Sequence, residues 1–326
     1  MSTIRDVARA AGVSISTVSR VLNGVTTIST ETSERVRAAA IELNYRPSNV
    51  ARSLRARRSR TIGLLVSDIQ NPFFTALARG VEDVTQQNGY SLILCNSDES
   101  PQKERQYVEL LCAESVGGAI VIPATEKSRS FGMFRTIGIP FVAVDRRLET
   151  PEVDTILVDN FRGSYDAVTH LIHQGYKRIA LMTGPLTTTT GRERRDGYRM
   201  AIRDAGLSLD DTLEKSGQFR VDSGAQLVRE ILEIRPRIDA LYVANNLMTV
   251  GALSVLYERD REMRLIGVAG FGDVPWPTVG MDSITTVKQP AYEMGNTAAQ
   301  RLFARMLKPD QLTTQEIILQ PTLRPM

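Results

Sequence analysis

Hydrophobic and polar positions follow two different patterns along the chain, and the change falls near residue 60. Before that point, apolar residues three and four positions apart predict three short helices that begin near Thr3, Ser14 and Ser29. Thr3 and Asp6 match a capping box, and Gly12 ends the first helix because glycine adopts the left-handed conformation without strain. Two short helices joined by a tight glycine-containing turn and braced by a third helix are typical of a helix-turn-helix.

After residue 60, continuous apolar runs alternate with helical patterns. The runs TIGLLVS, SLILC, GAIVI and PFVAV predict buried strands, and the series restarts at TILVD with RIALMTG, a weaker strand near 215, DALYVA and LIGVAGF. The predicted helices cover about 73–88, 101–115, 160–174, 190–206, 222–233, 246–258 and 290–308. Such strands separated by helices predict α/β lobes, each with a parallel sheet covered on both faces. Two similar series predict two stacked lobes.

The composition excludes several classes of protein. The chain has 326 residues, of which 42% are hydrophobic and 24% charged, as in an ordinary globular protein of about two domains. It contains no 18-residue apolar run, and its start, MSTIRDVARAAGVS, lacks the apolar core of a secretory signal, so we expect a cytoplasmic protein without a membrane partner. Cys95 and Cys112 lack metal-ligand spacing, and His170 and His173 share one predicted helix, so we expect reduced thiols and no metal.

The net charge of +3 is unevenly distributed. Residues 1–60 contain eleven arginines, no lysine and four acids, a net charge of +7, which leaves −4 for the remainder. A basic head on a mildly acidic body is typical of a polyanion-binding module attached to another domain. We therefore place the predicted domains at 1–60 and 61–326.

The second predicted helix turns a polar side to the solvent. That side begins with Ile15, Ser16 and Thr17 and continues with Ser19 and Arg20. An arginine there can bond the O6 and N7 atoms of guanine in the major groove, while the short residues reach base edges or phosphates. The alternative is a small three-helix module for protein interaction.

A basic segment, RPSNVARSLRARRSR, joins the head to the body. It predicts a hinge helix at about 47–56 whose apolar positions are Val50, Ala51 and Leu54, too few for a stable isolated helix. We expect it to fold when a partner chain and DNA both contact it, with Leu54 as a wedge in the minor groove. The alternative is a disordered basic linker.

Polar and aromatic side chains follow the predicted strands of the body, where open α/β sheets bind ligands. They include Phe73, Phe74, Asp145, Arg146, Arg194, Asn245, Asp273 and Trp276. Carboxylates, amides and guanidiniums match hydroxyl groups, and flat rings pack against C–H faces, so this set suits a polyhydroxylated ligand. Other interpretations remain: Asp145–Arg146 as an ion pair spanning the lobes, Trp276 as a core residue and Asn245 as a helix cap.

Motifs for catalysis are missing from the sequence. We find no Gly-Lys-Ser/Thr phosphate loop, G-x-S-x-G, H-E-x-x-H or C-x-x-C, and the threonine run at 187–190 lacks the lysine and glycines of a phosphate loop. We therefore expect no enzyme and no cofactor. A solute-binding protein for transport would suit the body alone, but the basic head and the lack of a signal sequence count against it.

Residues 3–56 resemble the DNA-binding head of the lactose-repressor (LacI) family, through TIRDVARAAGVSISTVSRVLNG and LNYRPSNVARSLR. The resemblance implies that the base-reading residues are Ile15, Ser16 and Arg20. It implies that the phosphate-binding residues are Ser14, Thr17 and Asn23. It also implies that paired hinge helices form through Val50, Ala51 and Leu54.

The resemblance continues over essentially the whole chain and implies a periplasmic-binding-protein type I body, two lobes joined by three crossovers. The last helix would return to the first lobe. The implied effector cleft is lined by Phe73, Phe74, Asp145, Arg194, Phe219, Asn245, Asp273 and Gln289. Arg194, within GRERR-x-GY, would bind a ligand hydroxyl or carboxylate.

Two departures from the family pattern leave contacts open. Many relatives have an acidic pair where this chain has Gly272-Asp273, and Asn-Asp where it has Asn245-Asn246. The contacts of the first acid and of the second position therefore do not carry over. Trp276 would add a stacking face to the cleft.

The expected function is a sequence-specific repressor of carbohydrate-metabolism genes. One helix-turn-helix covers only a half-site, so we expect a homodimer on a pseudo-palindromic double-stranded operator. LQPTLRPM carries no leucine heptads, which favours a dimer over a tetramer. A sugar or sugar acid in the cleft would change operator affinity through the hinge, with a coupling of about 1–3 kcal/mol. A purine-type corepressor is the alternative, and the sign of the response stays open.

Overall fold

The computed structural model describes residues 2–22, 28–45, 59–150, 152–259, 266–274, 284–308 and 313–325. The chain divides into two compact units, Met1–Ser59 and Arg60–Met326. The hinge segment predicted at about 47–56 lies outside the described residues. So do five residues with predicted contacts: Asn23, Val50, Ala51, Leu54 and Trp276.

The first unit contains the three predicted helices, α1 (Ile4–Ala11), α2 (Ile15–Leu22) and α3 (Thr30–Glu42). The predicted capping box is confirmed, because the Thr3 hydroxyl accepts from the amide of Asp6 and the Asp6 carboxylate accepts from the amide of Thr3 at 2.8 Å. Gly12 ends α1 at a φ of 63°. The Ser14 hydroxyl caps α2 by accepting from the Thr17 amide at 3.1 Å.

The buried side chains of these helices form one small core. It consists of Val7, Ala8, Ala11, Val18, Val21, Val36, Ala39 and Ala40. Within each helix these residues lie mostly three or four positions apart, the spacing from which the helices were predicted. Small and β-branched residues allow the three short helices to approach closely, which holds the glycine turn between α1 and α2 in place.

Two parallel sheets organise the second unit. The first sheet, in the order β11-β5-β4-β3-β1-β2, consists of β1 (Thr61–Val66), β2 (Ser91–Asn96), β3 (Gly118–Val121), β4 (Phe141–Val144), β5 (Thr155–Val158) and β11 (Glu316–Leu319). The second, in the order β12-β10-β9-β8-β6-β7, consists of β6 (Ile179–Thr183), β7 (Glu214–Ser216), β8 (Ala240–Val243), β9 (Gly267–Phe271), β10 (Thr285–Lys288) and β12 (Thr322–Arg324). Only β12 is antiparallel among the described pairings.

Helices cover both sheets, so the predicted α/β fold class is confirmed. The first lobe contains α4 (Pro72–Gln87), α5 (Pro101–Ala113), α6 (Gly132–Thr136) and α11 (Ala291–Leu307). The second contains α7 (Asn160–His173), α8 (Thr189–Asp204), a 3₁₀ turn (Asp211–Leu213), α9 (Val221–Leu232) and α10 (Asn246–Arg259). The chain crosses between lobes after β5, after β10 and after β11, which are the three predicted crossovers.

The last long helix, α11, returns to the first lobe as predicted. Its Met294, Ala298 and Leu302 are buried in the core of the first sheet. It also touches α4 at glycines on both helices. A Cβ at Gly80 would lie 2.1 Å from the Tyr292 carbonyl oxygen, so glycine is required for this close approach.

Among the described residues, no helix is both long and apolar enough to cross a membrane. The same residues contain no group of three or more His, Cys, Asp or Glu side chains placed to hold a metal ion. Cys95 and Cys112 are free thiols, and burial raises the pKa of Cys95 to about 11. They are therefore packing residues of the first lobe.

Candidate functional site

The exposed side of α2 carries the residues predicted to read DNA. Ile15, a large apolar side chain, is 41% exposed at the start of the helix. Ser16 and Arg20 are exposed as well. The Ser14 hydroxyl lies 2.7 Å from the Ser16 hydroxyl and 2.9 Å from that of Thr17, which gathers three hydroxyls at the N-terminus of the helix. The described residues thus present donors, an apolar contact and a guanidinium on one accessible side.

A polar cleft lies between the two lobes of the second unit, at the carboxyl ends of the strands. It is lined by Asp68, Asn71, Phe73, Phe74, Glu99, Asp145, Arg146, Thr190, Arg194, Phe219, Asn245, Asn246 and Gln289. Eight of the ten residues predicted to bind the effector are brought together here. The remaining two are Asp273 and Trp276.

Arg194 is held at the centre of the cleft by neutral groups. Its Nε donates to Asn160 Oδ1 at 2.8 Å, and its terminal nitrogens donate to the Ala244 carbonyl oxygen at 2.8 Å and to Gln289 Oε1 at 3.2 Å. The guanidinium carbon lies 3.8 Å from the centre of the Phe271 ring, a cation–π contact. Burial lowers the pKa of Arg194, since the charge is largely removed from water.

Arg146 is buried but paired. Its two terminal nitrogens donate to both carboxylate oxygens of Glu99 at 2.6 Å, a bidentate pair, and one of them also donates to the Pro123 carbonyl oxygen at 3.0 Å. Its Nε is buried without a hydrogen-bond partner. Burial alone would lower the pKa of Arg146, but the Glu99 carboxylate outweighs it and holds the pKa above its ordinary value.

Asp145 combines a strained backbone conformation with a buried carboxylate. Its φ is 67°, in the left-handed region, and only 4% of its surface is exposed. The nearest ion-pair contact of its carboxylate is Arg146 Nε at 3.6 Å, beyond hydrogen-bond distance. Burial raises the pKa of Asp145, although Arg146 and Arg194 act to lower it. Strained, buried polar groups of this kind are typical of binding sites.

Three aromatic rings border the cleft. The Phe73 and Phe74 rings meet edge to face, with centroids 5.0 Å apart. The Phe219 ring lies 5.6 Å from the Arg146 guanidinium carbon. Gly184 makes room for it, because a Cβ at that position would lie 1.9 Å from Phe219 Cε1.

The structure decides between the interpretations left open for two of the cleft residues. The Asp145–Arg146 pair does not span the lobes: both residues follow β4, and Glu99 follows β2 of the same sheet, so that alternative is wrong. Asn245 is a helix cap, as its Oδ1 accepts from the Met248 amide at 3.1 Å, and it also lines the cleft.

Asp273 does not line the cleft, although the resemblance implied it. Its side chain is exposed, and its carboxylate lies 3.9 Å from an Arg324 nitrogen. It borders a neighbouring opening that shares Phe73, Asn246 and Gln289 with the cleft. The reason is local: Gly272 has a φ of 98°, which turns the chain outward after β9.

Four residues that line the cleft had no role predicted from the sequence. They are Asp68, Asn71, Glu99 and Thr190. Asp68 and Glu99 follow the carboxyl ends of β1 and β2, so the rule that pointed to Asp145 applied to them as well. Asn246 was noted only as a departure from the family pattern, and it lines the cleft directly.

A helix-turn-helix unit followed by a two-lobed domain with a polar cleft defines a ligand-responsive DNA-binding regulator. Two family models match the chain. The bacterial regulatory proteins of the lacI family match residues 3–48. The periplasmic binding proteins and sugar binding domain of the LacI family match residues 59–320. The chain belongs to the LacI family and is a transcription regulator, which is the non-enzymatic class predicted from its sequence.

Similarity to individual relatives extends over nearly the whole chain. A ribose operon repressor of Halalkalibacterium halodurans is 36% identical over 309 residues, 94% of this chain and 91% of the relative. A PurR transcriptional repressor of Vibrio atlanticus is 36% identical over 313 residues, 95% of this chain and 93% of the relative.

Solved structures show the same architecture. A complex of the transcriptional regulator CelR with cellobiose has a TM-score of 0.75 at 31% identity, covering 99% of this chain and 98% of that one. The lac repressor dimer bound to operator and the anti-inducer ONPF has a TM-score of 0.84 at 26% identity, covering 99% of this chain and 97% of that one.

Proposed function

We propose that the chain is a cytoplasmic, homodimeric repressor of carbohydrate-metabolism genes whose operator affinity is switched by a neutral sugar bound in the cleft, without a further cofactor. One observation carries the choice of ligand: the buried Asp145 carboxylate lies beside two guanidiniums, those of Arg146 and Arg194. A sugar hydroxyl donates to a carboxylate and accepts from a guanidinium at the same time.

Unmet hydrogen-bonding capacity supports this ligand class. Arg146 Nε is buried without a partner, and Asp145 Oδ2 stands 3.6 Å from it. A hydroxyl between these two atoms would satisfy both. Phe73 and Phe219 supply flat faces for the C–H side of a sugar ring.

The charge of the cleft favours a neutral sugar over a sugar acid or sugar phosphate. Three carboxylates and two guanidiniums line it, Asp68, Glu99, Asp145, Arg146 and Arg194, a net charge of −1. Glu99 already occupies both terminal nitrogens of Arg146. An added anion would therefore meet a cleft that already carries a net negative charge, which is unfavourable.

The names of two relatives agree with a sugar effector. One 36%-identical relative is a ribose operon repressor, and one similar structure holds cellobiose. Ribose is the first sugar to try, because the 36%-identical relative is named as a ribose operon repressor.

The proposed dimer rests on DNA geometry and on an apolar edge of the first lobe. A single helix-turn-helix reads only one half-site, and the lac repressor structure that this chain resembles is a dimer on operator. Strand β2 is an edge strand, and Leu94 within it is 41% exposed. Ile69, in the segment after β1, is 43% exposed. We define Ile69, Leu92 and Leu94 as the apolar edge and assign it to the dimer interface.

The test is a ligand screen coupled to DNA binding. The purified protein is melted in the presence of D-ribose, cellobiose, gluconate, ribose 5-phosphate or hypoxanthine. Any stabilising compound is then titrated into complexes with operator DNA selected from random sequence. We expect a neutral sugar to raise the melting temperature and to change operator affinity. A hit confined to the acid, the phosphate or the purine would overturn the neutral-sugar assignment, and a hit without effect on DNA would overturn the switch.

A further inference from the structure

Two buried amides from opposite lobes face each other at the edge of the cleft. Asn71 precedes α4 in the first lobe, and Asn246 begins α10 in the second; they are 5% and 3% exposed. Asn71 Nδ2 donates to Asn246 Oδ1 at 3.1 Å, and Asn246 Nδ2 donates to Asn71 Oδ1 at 2.9 Å. Two reciprocal hydrogen bonds therefore join the lobes without any charge.

The orientation of each amide is fixed by its own helix. Asn71 Oδ1 caps α4 by accepting from the Phe73 amide at 3.0 Å, and Asn246 Oδ1 accepts from the Leu247 amide at 2.9 Å. Each oxygen is thus anchored, so each Nδ2 must point across the cleft. Each amide is therefore already oriented on its own lobe, and the two hydrogen bonds form when the lobes approach each other.

Gly272 gives Asn246 the space for this arrangement. A Cβ at Gly272 would lie 3.1 Å from Asn246 Cβ and 3.2 Å from Gln289 Nε2, and its φ of 98° disfavours any other residue. The Asp273 carbonyl oxygen, next in the chain, lies 3.4 Å from Asn246 Nδ2 and adds an acceptor on the same side.

We propose that the Asn71–Asn246 pair is an interlobe latch that sets the equilibrium between closed and open lobes and, through it, effector affinity. This inference rests on the proposed effector function of the cleft. In an open domain both amides would be hydrated, so the latch stabilises closure only by the modest net value of buried hydrogen bonds. Apparent affinity scales with the closed fraction, so loss of the latch weakens binding even where the ligand contacts are intact.

A double-mutant cycle separates a latch from two independent ligand contacts. Asn71→Ser and Asn246→Ser each remove the interlobe amide, and at position 71 serine retains the ability to cap α4. We expect each variant to weaken D-ribose binding about tenfold in calorimetric titrations, the order expected for two lost hydrogen bonds. The double variant should stay within about twofold of the weaker single variant.

The control cycle combines Asn71→Ser with Asn245→Ser. Asn245 lines the same cleft and caps the helix that Asn246 begins, but its side-chain oxygen accepts from the Met248 amide within its own lobe. In this control cycle, the fold-losses in ribose affinity of the two single variants should multiply in the double variant. If the fold-losses in ribose affinity also multiply in the Asn71/Asn246 cycle, the two residues act independently and the latch is overturned.

Lobe closure is measured separately with two spin labels. Cysteines replace the exposed Gln106 on α5 and Gln226 on α9, and Cys95 and Cys112 become alanine. Distances are recorded with and without 50 mM D-ribose, a concentration on the order of ten times a weak millimolar dissociation constant. We expect Asn246→Ser to move population from the short distance to a longer one.

The spin-label distances distinguish failure of the latch proposal from failure of the proposal that ribose is the effector. A wild-type protein that shows only the long distance under both conditions would mean that the latch does not form. A short distance that Asn246→Ser abolishes, and that 50 mM D-ribose does not restore in this variant, would support the latch and overturn ribose as the effector.

Discussion

At the scale of single residues, the cleft brings a conformational cost and an electrostatic cost together at one position. Asp145 combines a left-handed backbone with a carboxylate that is almost wholly buried. A protein selected only for stability would place asparagine or glycine there, because both adopt that backbone more readily and neither carries a charge. The cost is explained if the carboxylate binds ligand hydroxyls.

Asp145→Asn should therefore stabilise the fold and weaken effector binding. Burial raises the pKa of Asp145 above 3.8, so its ionised form is disfavoured in the folded state and reduces stability at neutral pH. The gain of the variant should be largest at pH 7 and shrink as the pH falls through the folded pKa toward 3.8. We expect ribose affinity to drop at least about tenfold, since hydrogen bonds to charged groups contribute about 1.5–3 kcal/mol.

Thermal melts across that pH range check the predicted gain in stability. Calorimetric titrations with D-ribose check the predicted loss of affinity. A lower melting temperature with unchanged affinity would contradict the assignment of Asp145 to the ligand site.

Gly184 leaves the space that the Phe219 ring occupies at the border of the cleft. Because an added Cβ would overlap the Phe219 ring at 1.9 Å, Gly184→Ala should push that ring out of place. We expect ribose affinity to fall roughly three- to tenfold, as aromatic packing contributes about 0.5–1.5 kcal/mol. Gly132→Ala is the matched control, because a Cβ there meets no atom within 4 Å. Equal affinities for the two variants would rule out this role of Gly184.

At the scale of elements, the lobes also meet on the loop after β3 and the start of α8. Glu126, after β3, accepts from Arg192 at 2.8 Å and from the Thr189 hydroxyl, both on α8. Burial acts to raise the pKa of Glu126, but the hydrogen bonds from Arg192 and Thr189 outweigh it and hold the pKa below 4.5. This contact is ionic and partly exposed, unlike the latch.

Glu126→Gln should lower stability at pH 7 but not in acid. A depressed pKa means that the carboxylate stabilises the folded state above about pH 4.5 and loses that contribution as the pH falls through the folded value. The difference in melting temperature between wild type and variant should thus shrink below pH 4.5. Melts at pH 7, 5 and 3.5 measure it. A difference that persists at pH 3.5 would show that packing, rather than charge, is responsible.

The elements themselves were largely predictable. The helix predicted at 160–174 is Asn160–His173, and the weak strand predicted near 215 is Glu214–Ser216. Apolar periodicity and caps are local signals, so they place helices well. The three strands β10, β11 and β12 were not predicted. TTVK and TLR are mostly polar, and EIIL is apolar but short and only partly buried, so none of them carries a run of buried residues.

The sequence predicted which loops form the site, but not which side chains of those loops point into it. The strand-end rule found the loops, yet the backbone conformation of each loop decides which side chain turns inward. Glu99 has a φ of 58° and reaches Arg146, whereas the glycine before Asp273 turns that residue outward. The Asn71–Asn246 pair joins residues 175 positions apart, a distance that no local pattern bridges.

At the scale of the whole molecule, DNA recognition needs two copies of the chain. The basic first 60 residues carry +7 and the remainder −4, so the heads are drawn to DNA while the bodies are not. Two heads reach two half-sites only if the bodies hold them together. The body must therefore supply a self-complementary surface that is independent of the effector cleft.

Leu94→Glu tests whether the apolar edge is that surface. Leu94 is already 41% exposed, so a carboxylate there should leave the fold intact while placing two like charges opposite each other across a two-fold interface. We expect a monomer in light scattering, unchanged ribose affinity and an operator affinity reduced by about 100-fold or more, because the second head no longer acts at high effective concentration. Ile137→Glu, at a site 53% exposed beyond α6, is the control and should remain a dimer. If Leu94→Glu also remains a dimer with full operator affinity, the interface lies elsewhere and the exposed side chains of β2 need another explanation.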